Sequence, residues 1–138
     1  MKIDQDYLKG LLEAFEASEN PATDIRLLSR AGYHHENKEF VFHVRLLEDR
    51  SLISRTDGLA GIGYFSPSTD DPDDEGFFDV VPLRLTASGH DFLDAIRNKE
   101  VWATIKSGFK EASIGTLVTV SKELFNRALS KQLDKYFD

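Results

Sequence analysis

Apolar residues recur at helical spacing from the start of the chain. Leu8, Leu11, Leu12 and Phe15 form one stripe, with Lys9, Glu13 and Glu16 between them, and predict a helix from about Asp4 to Ser18. Asn20-Pro21 ends it, because a proline cannot extend the helical hydrogen-bond ladder. A short second helix follows, with Thr23 as its expected N-cap, Ile25 and Leu28 turned inward, and Gly32 at its close. A third helix is expected from about Glu36 to Asp49, with Phe40, Val44 and Leu47 as its buried stripe.

After Leu52 the period changes from helical to alternating. Leu52 to Arg55 reads as a short strand, Asp57-Gly58 as a turn and Gly61 to Phe65 as a second strand. A third strand is expected over Phe77 to Thr86, with Pro82 favouring an edge or bulge. Three helices joined by tight links and followed at once by a hairpin match a helix-turn-helix carrying a wing. The remaining stripes are helical again. Phe92, Leu93 and Ile96 belong to a helix capped by Thr86, and Val101, Trp102, Ile105 and Phe109 to a shorter one. A last helix is expected from about Ser113 to Phe137, although Gly115 and the β-branched Thr116, Val118, Thr119 and Val120 lower the propensity of its start. Phe92 and Trp102 are both expected in the core.

The fold class expected is therefore α+β, a winged helix-turn-helix with additional C-terminal helices. It forms one domain over 1–138, with the helix-turn-helix at about 4–50, the wing at about 52–86 and the C-terminal helices at about 87–137. A chain of 138 residues suits one core, and its 41% hydrophobic content is too high for a disordered chain. Apolar runs of only a few residues exclude a spanning helix, and Met1-Lys2-Ile3-Asp4 lacks the apolar stretch of a secretory signal. With no cysteine there is no disulfide framework and no thiolate site. These features point to a cytoplasmic setting and no membrane partner.

Charge changes this picture locally. Asp70, Asp71, Asp73, Asp74, Glu75 and Asp79 cluster between Ser66 and Asp79 without a Lys or Arg. The rest of the chain carries −1, the total of −7 less those six negatives. The cluster has hard oxygen ligands but lacks the glycine and glutamate positions of an EF-hand, so a solvated wing tip is the expected reading. His34, His35, His43 and His90 match no zinc spacing. Gly58, Gly61 and Gly63 form no phosphate-binding fingerprint, and no nucleophile elbow occurs. No catalytic residue, metal or cofactor is expected, and the chain is not expected to be an enzyme.

The run Val81-Pro82-Leu83-Arg84-Leu85-Thr86-Ala87-Ser88-Gly89-His90-Asp91-Phe92-Leu93 resembles the end of the wing and start of the next helix in bacterial winged-helix regulators. More specifically, Phe42 to Leu47 with Leu52-Ile53, and Leu85-Thr86-x-x-Gly89 through Arg97 with Val101-Trp102, resemble the bacterial and phage family filed as domain of unknown function 2513. The resemblance covers nearly the whole chain and departs from the family in the long acidic insert. It implies the fold and a bacterial or phage origin, and brings no catalytic residues.

On a winged helix the third helix reads DNA. Opposite its buried stripe lie Lys38, Phe42, Arg45 and Asp49, with Asn37 and His43 beside them. Asn37, Lys38, Phe42, His43 and Arg45 are the candidate nucleic-acid contacts, set against an ordinary solvated face of a helix that is net acidic overall, Glu36, Glu39, Glu48 and Asp49 against Lys38, Arg45 and Arg50. Leu129, Leu133, Tyr136 and Phe137 are the candidate surface of a homodimer, unless they pack on the first helix. The leading expectation is a transcriptional regulator bound to double-stranded DNA. The alternative is a protein-interaction module, a phage or host adaptor or an acidic DNA mimic, on the same scaffold. A basic stripe from Lys38 and Arg45 to Arg26, Arg30 or Arg55 favours DNA, and an apolar patch around Phe42 favours a protein.

Overall fold

The computed structural model describes residues 1–67, 70–74 and 76–137. Helix α1 (Gln5–Glu16) is capped by Asp4, whose carboxylate accepts the Tyr7 N–H at 3.0 Å. Helix α2 (Ile25–Arg30) is capped by Asp24, not by Thr23 as the sequence predicts. The Asp24 carboxylate accepts the N–H groups of Arg26 and Leu27, and its negative charge suits the positive end of the helix better than a hydroxyl does. Thr23 instead pairs with Leu83, N–H to carbonyl in both directions, at 2.7 and 2.8 Å. Helix α3 (Lys38–Asp49) starts two residues later than expected, with Asn37 as a cap that makes no side-chain bond.

The strand region is two nested hairpins. Strand β1 (Ile53–Arg55) pairs antiparallel with β4 (Leu83–Leu85), in the register Ile53 to Leu85 and Arg55 to Leu83. Between them, β2 (Tyr64–Phe65) pairs with β3 (Phe77–Phe78) in a separate two-stranded sheet. The single strand expected over Phe77 to Thr86 is thus broken in two. Pro82 stands at the break, where its missing N–H would cost a ladder bond.

Helices α4 (Ala87–Arg97), α5 (Lys99–Gly108) and α6 (Ile114–Phe137) close the chain. Leu8, Leu11, Leu12, Phe40, Val44, Leu47, Leu83, Phe92, Leu93 and Ile105 are among the side chains sealed in one core that joins α1, α3, α4 and the β1–β4 pair. Phe92 is buried as expected, but Trp102 is only half-buried. The ammonium groups of Lys9 and Lys106 lie over its ring, 4.6 and 5.5 Å from the centroid, so the indole closes the core edge instead of filling its centre.

The Leu-Thr-x-x-Gly run is a clamp between β1 and α4. The Thr86 hydroxyl accepts the Gly89 N–H at 3.1 Å and donates to the Ser51 carbonyl at 2.7 Å. The Thr86 N–H donates to the Leu52 carbonyl at 3.0 Å. A Cβ on Gly89 would fall 2.1 Å from that same carbonyl oxygen, so only glycine lets the helix and strand approach this closely.

Candidate functional site

The outward face of α3 does not stand open. Its residues Lys38, Val41, Phe42, Arg45, Leu46 and Asp49 form one wall of a groove of about 620 Å³. The opposite wall comes from the segment of the β2–β3 hairpin, as Tyr64, Pro67, Pro72 and Asp74, and Met1 also lines the groove. The β2–β3 hairpin is docked there by aromatic contacts. Phe78 meets Phe40 edge to face with centroids 5.5 Å apart, and the Arg45 guanidinium lies 4.9 Å from the Tyr64 ring centroid.

Alternation then decides what the other face of the hairpin shows. Tyr64 and Phe78 point toward α3, so Phe65 and Phe77 must point away. Those two rings stack on one another with centroids 4.9 Å apart and planes within 12°. They are 47% and 61% exposed, and Val80 and Leu59, also in the segment between β1 and β4, are 51% and 64% exposed. A Cβ on Gly76 would sit 2.1 Å from the Phe65 carbonyl oxygen, and its φ of +74° is open to few other residues. The hairpin therefore holds an aromatic pair in water on a tightly closed backbone. The alternating pattern shows in the sequence, but which ring faces out depends on where the hairpin docks.

Of the expected nucleic-acid contacts, Lys38, Phe42 and Arg45 line the groove together. Asn37 is exposed at the head of α3, outside the groove lining. His43 is not on that face. It is 1% exposed, and its Nε2 accepts the Asp4 N–H at 2.9 Å. The proton is therefore on Nδ1, which donates to the Glu39 carbonyl at 2.7 Å. Tyr7 covers the ring at 4.7 Å between centroids. Burial pushes the His43 pKa below 6.5, and burial with the nearby Glu39 pushes Tyr7 up to about 12. His43 fastens the start of α1 to α3 and has no ring nitrogen left for a ligand.

Two of the arginines that would extend a basic stripe from Lys38 and Arg45 are engaged in ion pairs. Arg26 is paired with Asp24 at 2.9 Å, and Arg55 with Asp57 at 2.6 Å. Of the acidic cluster, Asp74 lines the groove, and Asp70, Asp71, Asp73 and Asp79 are exposed. The remaining member of the expected cluster, Glu75, lies outside the described residues. Among the described residues no group of three or more His, Cys, Asp or Glu could hold a metal ion. None of the described helices is long and apolar enough to cross a membrane.

The expected dimer residues Leu129, Leu133, Tyr136 and Phe137 are 39%, 53%, 77% and 82% exposed. They do not pack on α1, because α6 lies against α4 and α5 and its last residues run past both.

No solved structure matches the chain. An uncharacterized protein of Haemophilus influenzae is 23% identical over 133 residues, which span 96% of this chain and 99% of the relative. Residues 2–115 match the family described as hypothetical protein (DUF2513), a span that takes in α1 to α5, both hairpins and the Thr86–Gly89 clamp. The chain belongs to the DUF2513 family.

Proposed function

We propose that this chain is a winged-helix scaffold whose wing and third helix bind a partner protein, without catalysis. The scaffold reading rests on the order of three helices, a strand pair and a further helix, and on the Thr23–Leu83 bridge that adds a third extended segment beside β4. The stacked, exposed Phe65–Phe77 pair carries the partner reading. Aromatic side chains held in place lose little conformational freedom on binding, and they are enriched where proteins meet. The groove beside them has Phe42, Val41 and Leu46 on one wall and Tyr64, Pro67 and Pro72 on the other. Asp70, Asp71, Asp73 and Asp74 suit a partner segment that is apolar and basic.

The test is capture from a bacterial lysate, with nuclease added, by the parent chain and by a Phe65→Ser, Phe77→Ser double variant. A partner retained by the parent after nuclease and lost by the variant supports the reading. Equal capture by both would overturn it.

Lys38 and Arg45 on the outward face of α3 favour a second reading, a transcriptional regulator on double-stranded DNA. In that reading the acidic wing has to leave α3 before the helix can enter a major groove. Arg45→Ala then weakens duplex binding, and replacing residues 70–74 with a short neutral turn strengthens it. Each lost phosphate contact lowers the salt slope by about 0.9. No binding to mixed duplex at low salt by either protein leaves the protein-partner reading alone. In both readings the working unit is a homodimer, because the end of α6 projects an apolar stripe away from the body.

A further inference from the structure

Residues 1–4 are tied to α3 at an atom that can take a proton. Met1 lines the groove between α3 and the β2–β3 hairpin, and three residues later the Asp4 N–H donates to His43 Nε2. His43 is buried on the inner side of α3, and its neighbour Phe42 lines the groove on the outer side. The two rings meet edge to face, 5.1 Å apart.

Residues 1–3 are otherwise lightly held. Met1 and Lys2 are exposed, and Ile3 is only half-buried against the core. Lys2 meets Glu111 at 3.1 Å with both side chains mostly in water, where an ion pair contributes little. Helix α1 does not depend on this segment. The Asp4 carboxylate and carbonyl accept the N–H groups of Tyr7 and Leu8, and both bonds remain when the Asp4 N–H turns to water.

The neutral ring accepts from Asp4 because its proton is on Nδ1, toward the Glu39 carbonyl. A second proton would go to Nε2 and face the Asp4 N–H, donor against donor. The titratable and charged groups around the ring are Asp4 and Tyr7 from α1 and its cap and Glu39 from α3, with Tyr33 edge-on to Tyr7. Asp4 and Glu39 favour the charged ring, but burial opposes them and prevails. A charged ring needs water at Nε2, and the lightly held residues 1–3 are the part that can give way to it. We infer that protonation of His43 releases residues 1–3 and takes Met1 out of the groove, so that acid opens that side of the α3 face. The latch does not depend on what the groove takes, whereas its effect on binding rests on the partner reading. Each pH unit below about 6.5 shifts the balance toward release by up to tenfold, until the lowered pKa of the latched ring is passed.

Nuclear magnetic resonance of the isotope-labelled full chain, from about pH 7.5 down to about 5, tests this. The backbone heteronuclear NOEs of Lys2 and Ile3 report the segment, and the His43 ring carbons report the proton. Near neutral pH both residues are expected to be as ordered as α1. Their NOEs should then be lost with the same midpoint as the His43 titration, while those of α1 stay high. His43→Gln keeps an acceptor that cannot take a proton, so its segment should stay ordered throughout. His43→Leu removes the acceptor, and its segment should be released at every pH. A charged His43 with Lys2 and Ile3 still ordered would overturn the inference, and so would an ordered segment in His43→Leu or an acid release in His43→Gln that matches the parent. A ring that stays neutral until the whole chain unfolds would overturn it as well. The readout is the segment itself, so a failure of the partner reading leaves the result standing.

Discussion

The two hairpins of this chain are built alike and used differently. Both are short antiparallel pairs, and both owe a close backbone approach to a glycine, Gly89 beside β1 and Gly76 beside β2. Around β1 and β4 the side chains of Ile53, Leu83 and Leu85 are buried, and the Thr86 hydroxyl both donates and accepts. Around β2 and β3 half of the aromatic surface is left in water. A region whose groups are all engaged contributes stability, and a rigid region with unengaged apolar groups is where binding energy remains to be gained. In the proposed reading, the difference separates the part of the molecule that holds it folded from the part offered to a partner.

The largest effect that would test this contrast is at the clamp. Gly89→Ala drives a methyl group into the Leu52 carbonyl, and is expected to cost about 3 kcal/mol, at the upper end of overpacking penalties. Thermal unfolding should fall by roughly 10 °C. A variant that melts with the parent would show that β1 and α4 can separate freely.

Trp102→Ala comes next, at about 2 kcal/mol by chemical denaturation. That is below the roughly 3–5 kcal/mol for a fully buried aromatic, because the ring is only half-buried and already meets the ammonium groups of Lys9 and Lys106.

A smaller effect is expected from His43, and it depends on pH. Its folded pKa is depressed below 6.5 by burial, so the unfolded chain takes up the proton more readily. The stability it supports is complete above about pH 6.5 and is lost as the pH falls through its folded value. Protonation would also set a ring N–H against the Asp4 N–H. Melting curves from pH 7.5 down to about 5 should therefore show a decline in the parent that is shallower in His43→Gln. An equal decline in both would move the acid sensitivity elsewhere.

The smallest change expected is on the wing. Phe65→Ser with Phe77→Ser should leave stability within about 0.5–1 kcal/mol, since both residues are already about half exposed and pack mainly on each other. Partner capture should nevertheless be lost. A large drop in stability would show that the stacked pair belongs to the core, and would remove the distinction between the two hairpins.

Much of the architecture can be read from spacing alone. Helix stripes such as Leu8, Leu11, Leu12 and Phe15, and the caps at Asp4 and Thr86, are local, and the hydrophobic effect acts on them wherever the stripe lies. The run Leu85-Thr86-x-x-Gly89 could be recognised as a pattern, but its reason is tertiary. The Leu52 carbonyl that excludes a Cβ comes from more than thirty residues away in sequence. Thr23 is a plausible cap by composition, and loses that place because Asp24 offers a charged acceptor and Leu83 offers a strand edge.

His43 and Arg45 mark the same limit within one helix. Both are polar and two positions apart, but His43 stands three residues after Phe40 and four before Leu47, beside the apolar stripe, whereas Arg45 lies on the opposite face. The arrival of α1 buries His43 and supplies the Asp4 N–H, while the arrival of the β2–β3 hairpin sets Arg45 over Tyr64. Sequence by itself determined which segments are helical, where the alternating segment begins, and that the acidic residues fall within it. Tertiary structure decided which polar residues are spent on the fold and which aromatic residues are left exposed. Burial and hydrogen-bond satisfaction depend on neighbours distant in the chain, whereas helix and strand periodicity is repeated every few residues along it.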